Sequence, residues 1–246
     1  MSTSHSGNVQ NVVNHGILTE RVSTFGVKYN PVRPEFTIQQ LIDLKVSGET
    51  VLGIVNAAEN ADKKSGVTRG VAFENVEGVV TNSINAFRIS GAPEQAIQQA
   101  ESLVREFRAV RASDKPTEEE KATAKAEGKE LKTNVLHNST IDSKIENLGN
   151  YVRFLMVRPE YRPNETDITI EALTAKLAEL KMTNSECNKT AAALTKARMD
   201  RDVVLYTDTT GLVDIALGVK LYVKSAFGAT SPEYKSISKL KFTKPR

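Results

Sequence analysis

Few residues in this 246-residue chain could do chemistry, and their spacing argues against most of it. The only histidines are His5, His15 and His137. None has a partner one helical turn away, so the clustered ligands of a zinc or di-iron centre are missing. The Glu-x-x-His pattern of carboxylate-bridged bundles is missing too. Cys187 is the single cysteine, so no intramolecular disulfide can form. It lies on a predicted apolar seam, where a thiol acts as a small hydrophobe; the rival reading is a reactive thiol. Neither a Gly-x-Ser-x-Gly elbow nor a phosphate-cradling glycine loop occurs. Asp208-Thr209-Thr210-Gly211 resembles an aspartic-protease turn, but it sits in a helical pattern without flanking strands. The triplets beginning at Asn138, Asn164 and Asn188 fit the glycosylation pattern, and chance accounts for them in a chain with no evident signal peptide. We therefore assign no catalytic, cofactor-binding or metal-ligating residue and no cofactor. The chain is not expected to be an enzyme.

Arg198 and Arg201 are the informative oddity. They fall on the same seam, where an unpaired arginine is costly. In an antiparallel pairing of two long helices, Arg198 faces the region of Glu59 and Asp62, and Arg69 faces the region of Glu186. The expected result is a polar layer at mid-length that fixes register. A ligand-binding charge cluster between helices is the competing reading.

The seam belongs to a long helical pattern. Ile170, Leu173, Leu177, Leu180, Asn184, Cys187, Ala191, Leu194, Arg198, Arg201, Leu205, Asp208, Leu212, Ile215, Val219 and Tyr222 recur in alternating steps of three and four, a heptad stripe. No proline interrupts the span from Thr169 to Lys224. We prefer one helix of roughly 50 residues, about 80 Å at 1.5 Å per residue. The alternative is a hairpin broken at Thr207–Gly211, the best turn-like cluster available. YNPVRPEFTIQQL, from Tyr29, and YRPNETDITIEAL, from Tyr161, share a frame at one gapless offset, and the stripe carries over between them. An internal duplication is the economical reading. Thr37 and Thr169 are the expected helix N-caps, and Gly91 and Gly228 suit helix C-caps.

The boundaries follow. Residues 1–28 are polar and expected to be disordered. Residues 29–112 form the first repeat, a long helix near 38–90 and a short one near 93–111. Residues 113–160 hold a charged linker, then an amphipathic helix near 139–157. Residues 161–246 form the second repeat. No segment alternates as a strand, so the class is all-α: an elongated antiparallel helical bundle, coiled-coil-like.

The segment TGLVDIALGVKLYVKSAFGATSPEYKSISKLKF, residues 210–242, closely resembles the C-terminal signature of an uncharacterised family of bacterial helical proteins. YRPNETDITIEALTAKL and NKTAAALTKARMDRDVVLY resemble the second helix of that family, and FTIQQL and RGVAFENVEGVV its first, more loosely. The resemblance implies a long-helix architecture and a bacterial source. It carries no activity, cofactor or catalytic residue.

Composition narrows the function classes. Tryptophan is absent and aromatics make up 6% of the chain, so small aliphatic side chains must fill the core, which favours close helix contacts over a broad pocket. The net charge of +3 is a small imbalance, and nucleic acid is not inferred from it. No run of about 18 apolar residues is present. The expectation is a cytoplasmic, non-enzymatic structural or interaction protein that forms a homo-oligomer, with export lacking a cleaved signal left open. The second choice is a membrane-active or pore-forming helical protein, motivated by the amphipathic segment 211–228 and the basic tail.

Overall fold

The computed structural model describes residues 3–109 and 140–245, and among them every regular element is a helix. In chain order these are α1 (Thr3–Ser23), α2 (Ile38–Glu74), α3 (Val76–Arg88), α4 (Glu94–Arg108), α5 (Ile141–Met156), α6 (Ile170–Tyr206), α7 (Leu212–Phe227) and α8 (Pro232–Ser238). Single turns of 3-10 helix at Gly26–Lys28 and Pro34–Phe36 lead into α2. The protein is an all-α helical bundle. The charged linker expected around residues 113–138 lies outside the described residues.

Helix α1 corrects the expectation of a disordered start. Its buried face carries Val12, Leu18 and Val22, interleaved with Asn8, Asn11, Asn14, His15 and Thr19. A stripe that is half amide and imidazole gives little apolar periodicity, so sequence patterning misses it. The uninterrupted 50-residue helix is also corrected. Helix α6 stops at Tyr206, and α7 starts at Leu212 after the turn that was the alternative reading. Thr209 adopts a left-handed φ of 67° there. Its N–H donates to the Asp214 carboxylate at 2.9 Å, and Arg33 donates to its carbonyl at 2.8 Å. Asp214 also lies in the first turn of α7, where negative charge suits the helix dipole. The first long stretch is interrupted as well, at Asn75, a weak interior helix former held at φ −105°, ψ 4°.

The chain divides into two compact units. The first comprises Met1–Lys63 with Thr190–Arg246, and the second comprises Lys64–Lys189. Both long helices contribute residues to each. In the first unit, Leu18, Val22, Leu41, Ile215, Val219 and Val223 form the main core, and Val55 packs with Leu194 and Ala197. Gly218 leaves room for the Phe36 ring there: a Cβ would come within 2.5 Å of the ring, which would have to shift. In the second unit, Val80, Phe87, Phe107, Leu148, Tyr151, Leu173 and Leu180 form one cluster.

Each unit opens its long helix with the same device. Tyr29 donates its hydroxyl to the Phe36 carbonyl at 2.6 Å, and Tyr161 donates to the Ile168 carbonyl at 2.6 Å. Each tyrosine is buried, so the bond satisfies a carbonyl just ahead of the helix. Burial pushes both phenols above their ordinary pKa, keeping them neutral donors. The caps differ. Thr169 Oγ1 accepts the Ala172 N–H at 3.2 Å, but Thr37 turns its hydroxyl back to the Pro34 carbonyl at 2.8 Å and does not cap.

Candidate functional site

Three places gather polar groups. The first surrounds the end of the chain in the first unit. Asn11 and Asn14 lie one turn apart on α1, both buried. Asn11 donates through Nδ2 to the Thr243 carbonyl at 2.8 Å and accepts the Thr243 N–H at Oδ1 at 3.0 Å. Asn14 donates to the Lys241 carbonyl at 2.7 Å, its own amide oriented by Gln10 at 2.9 Å. The Tyr206 hydroxyl links Asn8 and Asn11. From α7, Lys220 donates to the carbonyls of Ser238 and Leu240 at 3.0 and 2.8 Å. Burial lowers the Lys220 pKa. Lys244 pairs with Asp214 at 2.9 Å and Asp208 at 3.2 Å. The bond from Lys244 holds the Asp214 carboxyl below its usual range.

The second place is His15, wholly buried in the same unit with neither ring nitrogen hydrogen-bonded. Burial, reinforced by the positive charge of Lys45, pushes its pKa down to about 4. It is a neutral imidazole in the core, and among the described residues no group of His, Cys, Asp and Glu could hold a metal ion.

The third is an open groove of about 620 Å³ in the second unit. Asn82, Asn85 and Ser90 line one side, and Glu160, Arg162, Glu165 and Asp167 line the other. The acids come from the turn that precedes α6. The sequence signal was the cluster Asn164-Glu165-Thr166-Asp167, which reads as a turn and carries no catalytic spacing.

The residues singled out from sequence are not brought together. Cys187 is buried on α6 within the second unit and does not line the groove there. His5 lies within α1, and His137 lies outside the described residues. Arg198 does meet Glu59, at 3.1 Å, but its side chain is 51% exposed, so at Arg198 the expected buried layer is corrected to a surface ion pair, while the Arg201 side chain is 14% exposed. Arg69 reaches Asn184 Oδ1 at 3.2 Å, not Glu186, and Arg201 pairs with its neighbour Asp202. The asparagines of α1 were missed altogether. Only their spacing could have shown them, Asn8, Asn11 and Asn14 falling at three-residue intervals along one helical face.

Compared with family models, curated proteins and solved structures, the chain finds no match. No described helix is long and apolar enough to cross a membrane.

Proposed function

We propose that this chain is a non-enzymatic structural or interaction protein: a coiled-coil-like helical bundle, built by internal duplication, that associates with further copies of itself in the cytoplasm. One observation carries the association. Large apolar side chains stand in solvent on the long helices: Val67 at 68% and Val71 at 63% exposure on α2, and Met199 and Val203 on α6. An exposed apolar row on a helix is the usual mark of a partner surface. The duplication is supported by the paired tyrosine devices and by Leu41 and Leu173, which close the first turn of α2 and α6 through the carbonyls of Thr37 and Thr169. The resemblance of residues 210–242 to bacterial helical proteins adds a bacterial source to the proposal. Sedimentation velocity across a concentration series tests the association. A monomer persisting at high micromolar concentration refutes it. Val67→Glu with Val71→Glu is expected to weaken assembly while leaving helicity intact.

A second reading, a membrane-active helical protein, rests on Leu217 and Leu221, which α7 leaves exposed close to Lys224. Leakage of anionic liposomes separates it from the first.

A further inference from the structure

After α8 the chain runs from Lys239 to Pro245 without a helix or strand of its own. Exposure alternates along it. Lys239, Lys241 and Thr243 face solvent, while Leu240 and Phe242 pack onto the apolar clusters of the first unit. The main chain is read by side chains of other elements: Asn11 takes both polar groups of Thr243, Asn14 takes the Lys241 carbonyl, and Lys220 takes those of Ser238 and Leu240. Peptide-binding grooves work in this way, with main-chain bonds supplying affinity and pockets for alternate side chains supplying selectivity. Lys244, two residues past Phe242, adds a charge match to Asp208 and Asp214. None of these contacts depends on the covalent link at Ser238. The amides on α1 also make little sense as core, since a leucine there would bury more apolar area without a partner to satisfy.

We propose that α1 and α7 form a receptor groove for an extended Leu-x-Phe-Thr-Lys peptide, that the C-terminal segment of the chain is its occupant in cis, and that the same segment of a second copy replaces it in trans. The trans occupant follows from residue matching: the segment already carries the side chains and main chain the groove reads. Its release unfolds no helix, because the bound residues begin at the end of α8. In cis the segment is present at an effective concentration on the order of millimolar, so each native copy blocks its own groove. The inference goes beyond the self-association proposed above: it adds a contact within the first unit, apart from the exposed valines Val67 and Val71.

Two full-length variants test it. Leu240→Asp with Phe242→Asp leaves a groove without its occupant. Asn11→Leu leaves a segment without its groove. Mixed, they are expected to sediment as a one-to-one heterodimer that neither forms alone. A fluorescein-labelled peptide of residues 238–245 is expected to bind the Leu240→Asp/Phe242→Asp chain saturably. Binding should be at least about tenfold weaker to the native chain, and about tenfold weaker again when Asn14→Leu removes one main-chain bond from the open groove. Should Asn11→Leu not fold, Asn14→Leu takes its place in the mixture. Variants that keep native helicity yet neither pair nor bind peptide overturn the proposal, and peptide binding without pairing overturns the second-copy occupant. Native copies that associate while the variants do not pair leave the self-association standing and remove this contact. Native copies that stay monomeric while the variants pair do the reverse.

Discussion

The two units open their long helices with the same tyrosine bond but fill the space behind it with different chemistry. Helix α5 of the second unit buries Ile145, Leu148, Tyr151, Val152 and Leu155, with Asn147 as its one buried amide, donating to the Glu106 carbonyl at 3.0 Å. Helix α1 of the first unit buries three asparagines, a histidine and a threonine among its apolar residues. A buried polar group contributes little even when bonded, and costs stability when it is not. The second unit is therefore built for packing. The first trades packing for specific polar contacts, among them the bonds of Asn11 and Asn14 to the C-terminal segment.

The largest expected effect lies in the apolar unit. Phe87 is fully buried, with Phe154 and Tyr161 edge-on at 5.9 and 6.1 Å between ring centroids. Phe87→Ala is expected to cost about 3–5 kcal/mol by denaturant titration, from lost transfer energy plus a cavity in a close-packed site. A loss under about 1 kcal/mol would show that this core is loose and erase the contrast between the units.

The next effect is specific to the first unit and to acid. His15 titrates at about 4 when folded, against 6.5 for an ordinary imidazole. The unfolded chain binds the proton more readily, so the contribution of neutral His15 is fully present above pH 6.5 and is lost as pH falls toward 4. The shift corresponds to roughly 3 kcal/mol. His15→Leu is expected to flatten the decline in stability between pH 6.5 and 4 and to stabilise the fold at neutral pH, because two unsatisfied nitrogens go with the ring. An unchanged acid profile would show that the imidazole is hydrated or partnered in solution.

The same contrast explains what could be read from the sequence. The helical class, α4 and α5 were legible because Ala96, Ala100, Val104 and Phe107, and likewise Ile145, Leu148, Val152 and Leu155, mark one helix face with carbon alone. Helix α1 was not, since Asn11 and Asn14 score as solvent residues until their main-chain partners at Thr243 and Lys241 are known, and those lie more than 200 positions away in the chain. The break after Tyr206 was ambiguous for a related reason. Heptad spacing continues through the turn, and what decides the matter is Asp214 and Arg33 gripping Thr209. No part of the C-terminal contact was legible as a site, because asparagine side chains bonded to a main chain leave no motif.

A smaller effect tests the likeness of the units. Tyr29→Phe and Tyr161→Phe each remove one buried bond to a carbonyl ahead of a long helix. Each is expected to cost about 1–2 kcal/mol, the two agreeing within about 0.5 kcal/mol. A large inequality would mean that one device is incidental. The Asn30 N–H donates to the Tyr222 hydroxyl at 3.1 Å, and the Tyr222 ring stands edge-on to Tyr29, so excess loss in the first unit would be traced by repeating the pair in a Tyr222→Phe background.

The smallest effect is expected at Arg198, where sequence reasoning promised a large one. An arginine on a heptad seam suggests a buried charge, and removing one partner of a buried pair typically costs about 3–5 kcal/mol. The bond to Glu59 forms, at 3.1 Å, but with the arginine half in solvent and the glutamate 25% exposed, water solvates most of the guanidinium whether or not the pair is made. Ion pairs in that setting contribute about 0–1 kcal/mol, and salt screens them. Nearby, Val55, Leu194 and Ala197 already pack as a small apolar cluster between α2 and α6. Register in this region is therefore held by carbon contacts, with the ion pair at their margin. Arg198→Ala is expected to shift the denaturation midpoint by less than the equivalent of about 1 kcal/mol, and by less still in molar salt, while Val55→Ala costs about 1–3 kcal/mol. If Arg198→Ala proves the more damaging of the two, charge sets the register of α2 against α6 in the first unit and the apolar cluster only follows it.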